Sequence, residues 1–176
     1  MKTDTSIYST YEFQYPKMTE DEVWEFMSTP SRDVYIATVG KDGIPHCTTI
    51  WVTVHQKKIY FNAFTNPPKK RTRNIMSNPN VCLTAAVTPD GDGSKVYGAA
   101  ITGVAKIIDD PGKINAVQQT AKEQRAKLGK APIAAASGPW ATQMQNQAHI
   151  WIEVTPTKIA SWDKRKRVQI IADMSR

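Results

Sequence analysis

The residues best suited to chemistry lie in one short basic segment. It reads Phe64-Thr65-Asn66-Pro67-Pro68-Lys69-Lys70-Arg71-Thr72-Arg73-Asn74. Phosphate binds well where a helix N-terminus, a fixed loop and nearby cations come together. The proline pair fixes the turn, and a short helix is predicted to begin near Lys69 and to stop before Pro79. Arginine adds planar bidentate geometry and lysine a compact charge, so the segment predicts a phosphate site. A solvated basic helix is the alternative.

A second segment, Pro45-His46-Cys47-Thr48-Thr49-Ile50-Trp51, has the composition of a strand that could lie along a flat heterocycle. One face mixes small hydroxyl residues with a single large aromatic residue. Backbone amides of such a strand can meet the polar edge of a ring, and small side chains allow close approach. A barrel strand with a polar outer face explains the same pattern.

The net charge of +7 is local. Two runs, Lys69–Arg73 and Lys164–Arg167, hold eight of the 23 basic residues, and the rest of the chain is close to neutral. A protein that binds extended polyanions more often spreads its charge over a whole face. The pattern favours a single phosphate-bearing ligand, and nucleic-acid binding by a small basic barrel with exposed Trp51 and Tyr60 is the less favoured alternative.

Composition excludes several other classes. The 176 residues are 40% hydrophobic and 22% charged, which is typical of one globular domain. No apolar run is long enough for a membrane helix, and the N-terminus lacks a secretory signal. Two cysteines, Cys47 and Cys82, do not make a disulfide scaffold, so a reduced cytoplasm is expected. No Cys/His spacing suits zinc, and no metal site is predicted. No catalytic triad or carboxylate pair is evident, and the catalytic residues stay unknown.

The elements that must position these segments are mostly strands. A capping box at Thr19-Glu20-Asp21-Glu22 opens a helix that Pro30 ends. Strands are predicted over 35–39, 46–54, 59–65, 80–87, 96–108, 149–154 and 158–162, and a helix from Asp110-Pro111 to near Gly129. Gly98 and Gly103 are expected at bulges or bends. Short strands joined by hairpin turns indicate a barrel or a sandwich.

Three regions are expected along the chain. Residues 1–17 form an aromatic N-terminal arm, residues 18–163 the β-rich domain, and residues 164–176 a basic C-terminal tail. The tail is interpreted as a solvated end or the rim of a dimer, and it could also hold an acidic ligand.

Taken in order, these pieces resemble the pyridoxamine 5′-phosphate oxidase-like family of FMN-binding split β-barrels. The matching motifs are Ile36-Ala37-Thr38-Val39-Gly40-Lys41-Asp42-Gly43-Ile44-Pro45-His46, Ile59-Tyr60-Phe61, Lys70-Arg71-Thr72-Arg73-Asn74-Ile75, Asn78-Pro79-Asn80-Val81-Cys82-Leu83, Ile101-Thr102-Gly103-Val104-Ala105 and Val154–Asp163. The resemblance covers roughly residues 18–163. It implies a mainly β fold with flanking helices, a split β-barrel, and a homodimer that binds two cofactors at its interface.

The resemblance also assigns roles to particular residues. It implies that Lys70 and Arg71 hold the flavin phosphate, with Thr65 before them, Phe64 preceding that hydroxyl, and Arg73 as an extra cation. The ring edge is expected to meet the strand that contains His46, Thr48, Thr49, Ile50 and Trp51. Trp140 is a candidate to reach across the dimer interface, where simple interface packing is the alternative.

One departure limits the activity that the resemblance implies. Pyridoxamine phosphate oxidases carry an Arg-x-His motif near the C-terminus, whereas this chain reads Trp162-Asp163-Lys164-Arg165-Lys166-Arg167-Val168 and its last histidine is His149. The resemblance therefore implies an FMN-dependent oxidoreductase acting on another small organic molecule. A reductase that uses the deazaflavin coenzyme F-420, or a non-catalytic carrier of either cofactor, is the alternative.

Overall fold

A computed structural model describes residues 16–29, 32–65, 67–129 and 149–167 of the chain. The elements in chain order are α1 (Glu20–Met27), β1 (Val34–Val39), β2 (Pro45–Ile50), β3 (Thr53–His55), β4 (Lys58–Phe64), α2 (Lys70–Ser77), β5 (Asn80–Val87), β6 (Tyr97–Ile108), α3 (Pro111–Lys127) and β7 (His149–Asp163). Short 3₁₀ turns at Pro89–Gly91 and Gly93–Lys95 join β5 to β6. The mainly β prediction is confirmed.

The predicted capping box is present at the start of α1. The backbone N–H of Glu22 donates to Thr19 Oγ1 at 3.2 Å, and the N–H of Thr19 donates to Glu22 Oε2 at 2.6 Å. These bonds satisfy two N–H groups that the helix itself leaves without partners. The apolar face of α1, formed by Val23, Trp24, Phe26 and Met27, is buried as its spacing predicts.

The strands form one antiparallel sheet in the order β2-β1-β5-β6-β7-β4-β3. Strands β2 and β3 lie at opposite ends of this order, yet only Trp51 and Val52 separate them along the chain. Two residues span only about 7 Å, so the two edges of the sheet must come close together. The sheet therefore curls into a barrel-like shape whose seam lies at Trp51 and Val52.

The prediction of one continuous strand from His46 to Val54 is wrong. The segment breaks at the seam, where β2 pairs with β1 and β3 pairs with β4. A continuous strand would place successive side chains on opposite faces, but Thr53 and Val54 are both buried. The two halves pair with opposite edges of the sheet, so the chain leaves regular strand geometry at Trp51 and Val52 as it passes from one edge to the other.

The prediction of two closing strands is also wrong, because β7 runs unbroken from His149 to Asp163. Its pairing with β6 shifts register between Thr102 and Gly103, and Gly103 faces Pro156. The irregularity expected at Gly103 is therefore present, whereas Gly98 lies in regular pairing. A Cβ on Gly98 would lie 2.5 Å from the carbonyl oxygen of Ala85, so glycine is needed there for close packing.

The core fills the inside of the curled sheet. Ile59, Phe61 and Ala63 of β4 point inward, as their alternation predicts, and are almost completely buried. Ile36, Leu83, Ile101, Ile152 and Val154 complete the centre of this cluster. A second, smaller cluster lies on the outer face, where Val117 of α3 packs against Tyr60 and Ile108. Helix α3 thus covers the outside of the sheet near β3 and β4.

Residues 164–166 of the basic C-terminal run contact the domain itself. The N–H of Lys164 donates to the Val96 carbonyl at 3.0 Å, and Lys166 Nζ lies 2.6 Å from Glu22 Oε2. Arg165 pairs with Asp163 at 2.7 Å, and its guanidinium lies 3.5 Å from the ring centroid of Tyr97. The hydrogen bond from Arg165 also lowers the pKa of the Asp163 carboxyl. The division into an arm, a domain and a tail remains a prediction.

Candidate functional site

The predicted phosphate segment begins with the exposed N-terminus of a helix. Helix α2 follows β4 through the proline pair, and its N-cap residue, Lys69, makes no side-chain capping bond. No acidic residue stands in its first turn. The positive end of the helix dipole is thus surrounded by cations of the chain itself, an arrangement that an anion would relieve.

Arg71 is the clearest sign that a ligand belongs here. It is half-buried, its Nε is buried, and this Nε has no hydrogen-bond partner in the part of the chain that the structure describes. Burial lowers the pKa of its guanidinium. Removing a charged donor from water without a partner is costly, and buried polar groups are almost always hydrogen-bonded. An anion beside Arg71 would remove this cost.

The other cations of the segment are more exposed. Lys70 Nζ lies 4.0 Å from Asp42 Oδ2, a solvent-exposed pair that contributes little and leaves the lysine available. Arg73 donates from NH1 to the Pro68 carbonyl at 2.6 Å, which attaches the helix to the proline turn. Lys69 Nζ lies 5.9 Å from the ring centroid of Phe64.

A buried hydrogen-bond chain fixes α2 against β1 and β2. Asn74 donates from Nδ2 to Thr38 Oγ1 at 3.1 Å, and that hydroxyl donates to the His46 carbonyl at 3.3 Å. Gly40 allows this approach, because a Cβ there would lie 2.6 Å from Asn74 Oδ1. The chain places the basic helix beside the start of β2. Sequence analysis missed the role of Asn74, because its partner Thr38 lies 36 positions away in the sequence.

The predicted ring-binding strand is β2. Thr49 is exposed, whereas His46 and Thr48 are half-buried and Ile50 is only 6% exposed. The side chain of Ile50 belongs to the core, so only its backbone is available to a ligand. Trp51 lies just beyond the strand with 57% of its surface exposed. Alternate side chains of β2 therefore leave one polar face open to solvent.

The end of β4 supplies Phe64 and Thr65. The ring of Phe64 lies 4.7 Å from the ring of His149, a contact that sequence analysis did not foresee. Thr65 forms an isolated β-bridge with Pro68, which helps to hold the turn before α2. The structure thus brings Phe64, Thr65, Lys70, Arg71, Arg73 and the start of β2 around one helix N-terminus. Trp140 lies outside the described residues.

The donor set at α2 fits a phosphate monoester. It combines first-turn N–H groups, the orphaned Nε of Arg71 and the ammonium group of Lys70, with no capping carboxylate to compete. In the described ranges, no group of three or more His, Cys, Asp or Glu side chains could hold a metal ion. No helix in those ranges is long and apolar enough to cross a membrane.

The chain belongs to the pyridoxamine 5′-phosphate oxidase family, whose sequence profile matches residues 19–163. A search of curated proteins returned no significant match. The family prediction made from the motifs is therefore confirmed. The matched residues include both α2 and β2.

Solved structures support the same fold. A conserved hypothetical protein, Rv2991 from Mycobacterium tuberculosis, is 26% identical with a TM-score of 0.66, covering 85% of this chain and 87% of its own. An FAD-binding protein from Mesorhizobium loti is 14% identical with a TM-score of 0.58, covering 85% and 97%. An F420 reductase is 20% identical with a TM-score of 0.51, covering 77% and 94%. An FAD-binding protein and an F420 reductase thus occur among the structural neighbours.

Proposed function

We propose that the protein binds FMN and acts as an oxidoreductase that transfers hydride to or from a small organic substrate. The observation that carries this proposal is the half-buried guanidinium of Arg71 at the N-terminus of α2, whose buried Nε lacks a partner in the described residues. Membership of the pyridoxamine 5′-phosphate oxidase family and a flavin-binding structural neighbour support the same ligand class.

The residues around α2 would each contact a different part of the cofactor or stabilise the binding loop. Lys70 and Arg71 hold the phosphate, Arg73 and Thr65 brace the turn, and the exposed face of β2 receives the ring. When bound, the flavin supplies the hydride chemistry, so the protein needs no nucleophile of its own. The contribution of the chain is to orient the ring and to leave one face of it open to substrate. Because the C-terminal run lacks histidine, the proposed substrate is not pyridoxamine 5′-phosphate.

Coenzyme F-420 is the second candidate, and one observation favours it. Exposed cations continue beyond the phosphate site, namely Lys41, Lys69 and Arg73, and a single phosphate does not need them all. The deazaflavin carries a longer acidic tail that these side chains could meet. An F420 reductase is also among the structural neighbours. A protein that carries either cofactor without turnover would bind it and fail to oxidise NAD(P)H or reduced deazaflavin.

Cofactor titration tests the proposal directly. The apoprotein is titrated with FMN and with F-420, and binding is followed by the change in cofactor fluorescence. The double variant Lys70→Ala/Arg71→Ala is compared with Lys122→Ala/Lys127→Ala, which removes the same charge from exposed positions of α3. Two charge-assisted contacts to a phosphate contribute about 3 kcal/mol together, so the first variant should bind at least about a hundredfold more weakly. The control should bind as the wild type does.

Two outcomes would contradict the proposal. One is a wild-type protein that binds neither cofactor, and the other is a Lys70/Arg71 variant that keeps wild-type affinity. Tighter binding of F-420 than of FMN would replace the first candidate by the second, because both share the phosphate site.

We also propose that the protein is a homodimer. The outer face of β1 and β2 leaves Tyr35 47% exposed next to the exposed Cys47 and Thr49, so a second copy could cover this surface. The flavin ring on β2 would then lie at the interface between the two copies, where the family resemblance expects the cofactor. Light scattering of the purified protein should give twice the chain mass, and Tyr35→Arg should shift it toward the monomer. A wild-type monomer at micromolar concentration would contradict this. We further propose a cytoplasmic location, because both cysteines are free thiols, as is usual in a reducing compartment.

A further inference from the structure

A cleft of about 130 Å³ opens between the C-terminal half of α3 and the outer face of the curled sheet, next to the seam. Tyr60 and Asn62 lie two residues apart on β4, so both side chains point to that outer face. Trp151 of β7 is the register partner of Asn62 and shares the face. Trp51 at the seam lines the cleft as well. None of the residues of α2 lines it, so the cleft is separate from the phosphate site.

The walls of the cleft are aromatic. Tyr60 is only 1% exposed and donates its hydroxyl to Glu153 Oε2 at 2.8 Å, so its ring is fixed. Trp151 is partly buried and Trp51 is 57% exposed, which leaves both indole rings available to a ligand ring. The volume lies well below the roughly 300 Å³ of pockets for drug-sized molecules and close to the roughly 150 Å³ that admits benzene. These features favour one small flat ring.

The polar side chains that line the cleft are uncharged, with one exception. Thr53, Asn62 and Gln124 supply a hydroxyl and two amides, which can both donate and accept hydrogen bonds. The exception is Arg125, which already has an interaction of its own. A charged ligand would therefore leave water without gaining a free counterion, whereas a carboxamide would find hydrogen-bond partners. The lining favours an uncharged ligand with an amide group.

Two bonds hold α3 in place against β3. Gln124 donates from Nε2 to the Val54 carbonyl at 3.0 Å. His55 Nδ1 lies 2.9 Å from the hydroxyl oxygen of Thr120, one turn earlier on the helix. The wall that α3 contributes is thus formed before any ligand binds. A preformed site loses little conformational freedom on binding, which favours a rigid ligand.

We propose that this cleft binds a small, flat, uncharged aromatic carboxamide. The binding does not rest on the proposed function, because Trp51 is the one cofactor candidate among the described residues that line the cleft. Trp51 directly follows β2, the strand assigned above to the flavin ring. The cleft therefore lies beside the cofactor strand, and both ligands are bound at the same time.

Benzamide is the probe, added to the purified full-length protein and followed by ligand-observed NMR and tryptophan fluorescence. It should saturate one site per chain and bind about tenfold more tightly than either of two relatives. Cyclohexanecarboxamide keeps the amide without the flat ring, and benzoate keeps the ring but carries a charge. The inference is overturned if benzamide does not bind or if either relative binds equally well.

Substitutions test the walls one at a time. Trp51→Ala should weaken benzamide about tenfold and Trp51→Phe much less, because phenylalanine keeps a ring for stacking. Asn62→Ala should weaken benzamide about fivefold through one lost hydrogen bond and leave fluorobenzene, which has no amide, unchanged. Leu128→Ala, an exposed change just after α3 and outside the cleft, should affect neither ligand. Wild-type affinity for benzamide in Trp51→Ala or in Asn62→Ala would contradict the assignment.

The same samples separate this site from the cofactor site. Saturating FMN should leave benzamide bound, and Lys70→Ala/Arg71→Ala should bind benzamide as the wild type does. Displacement of benzamide by FMN would overturn the inference, because the cofactor ring would then occupy the cleft. Loss of FMN binding in the double variant with benzamide binding intact supports both sites. A wild type that binds benzamide and neither cofactor supports the cleft and contradicts only the proposed function.

Discussion

Replacing Glu153 with glutamine should remove a defined part of the acid sensitivity of the fold. Glu153 is 5% exposed and accepts from Lys58 Nζ at 2.8 Å, Lys113 Nζ at 2.5 Å and the Tyr60 hydroxyl at 2.8 Å. It therefore connects α3 to β4 and β7. Burial alone would raise the pKa of its carboxyl, but the hydrogen bonds from Lys113, Lys58 and Tyr60 outweigh burial and lower that pKa to about 2.

The stability that ionised Glu153 contributes follows from this pKa. A fall from 4.5 to about 2 corresponds to about 3 kcal/mol of stability, present when the carboxyl is ionised. Because the folded state holds the proton less tightly than the unfolded state, this stability is complete above pH 4.5 and is lost as the pH falls toward 2. Glu153→Gln should therefore lower the free energy of unfolding by about 3 kcal/mol near neutral pH. The same change leaves two lysines without their counterion.

Urea unfolding followed by circular dichroism measures this difference. The gap in unfolding free energy between wild type and Glu153→Gln should be about 3 kcal/mol near pH 7 and should shrink below about 1 kcal/mol near pH 2.5. Glu25→Gln, an exposed change on α1, should follow the wild type throughout. A gap that stays constant across this range would refute the assignment, because Glu153 would then not titrate as the structure requires.

Two further substitutions test the close contacts of the fold and the site. Gly98→Ala should destabilise the protein by more than about 2 kcal/mol, because the new methyl group would lie 2.5 Å from a backbone oxygen, whereas Gly93→Ala, in open space, should change the melting temperature little. Asn74→Ala should lower the free energy of unfolding by about 1–2 kcal/mol through loss of the bond to Thr38, and should weaken cofactor binding in the same titration because α2 loses its attachment. An Asn74→Ala protein with wild-type stability would contradict that role.

Local patterns predicted most of the elements. The capping box before α1, the aspartate and proline before α3, and the alternation in β4 each depend on neighbouring residues, so the sequence alone indicates them. The proline pair and the basic run likewise predicted α2, which begins at Lys70 and ends at Ser77. Each of these elements can be predicted from residues that lie close together in the sequence.

The predictions failed where contacts between residues distant in sequence determine the structure. The break at Trp51 and Val52 exists because two sheet edges meet there, and nothing within residues 46–54 shows which partner each half pairs with. The buried bond from Asn74 to Thr38 and the tilted ring contact between Phe64 and His149 also join residues far apart in sequence. The network around Glu153 was missed for the same reason.

The spectrum of the reconstituted protein tests the central claim most directly. After incubation with FMN and removal of free ligand, the wild type should retain about one flavin per chain and show bands at about 370 and 450 nm from the bound chromophore. Lys70→Ala/Arg71→Ala should be colourless, whereas Lys122→Ala/Lys127→Ala should stay yellow. A single band at about 420 nm after incubation with F-420 would identify the deazaflavin instead. Full colour in the Lys70/Arg71 variant would contradict the account, because the α2 site would then not hold the cofactor.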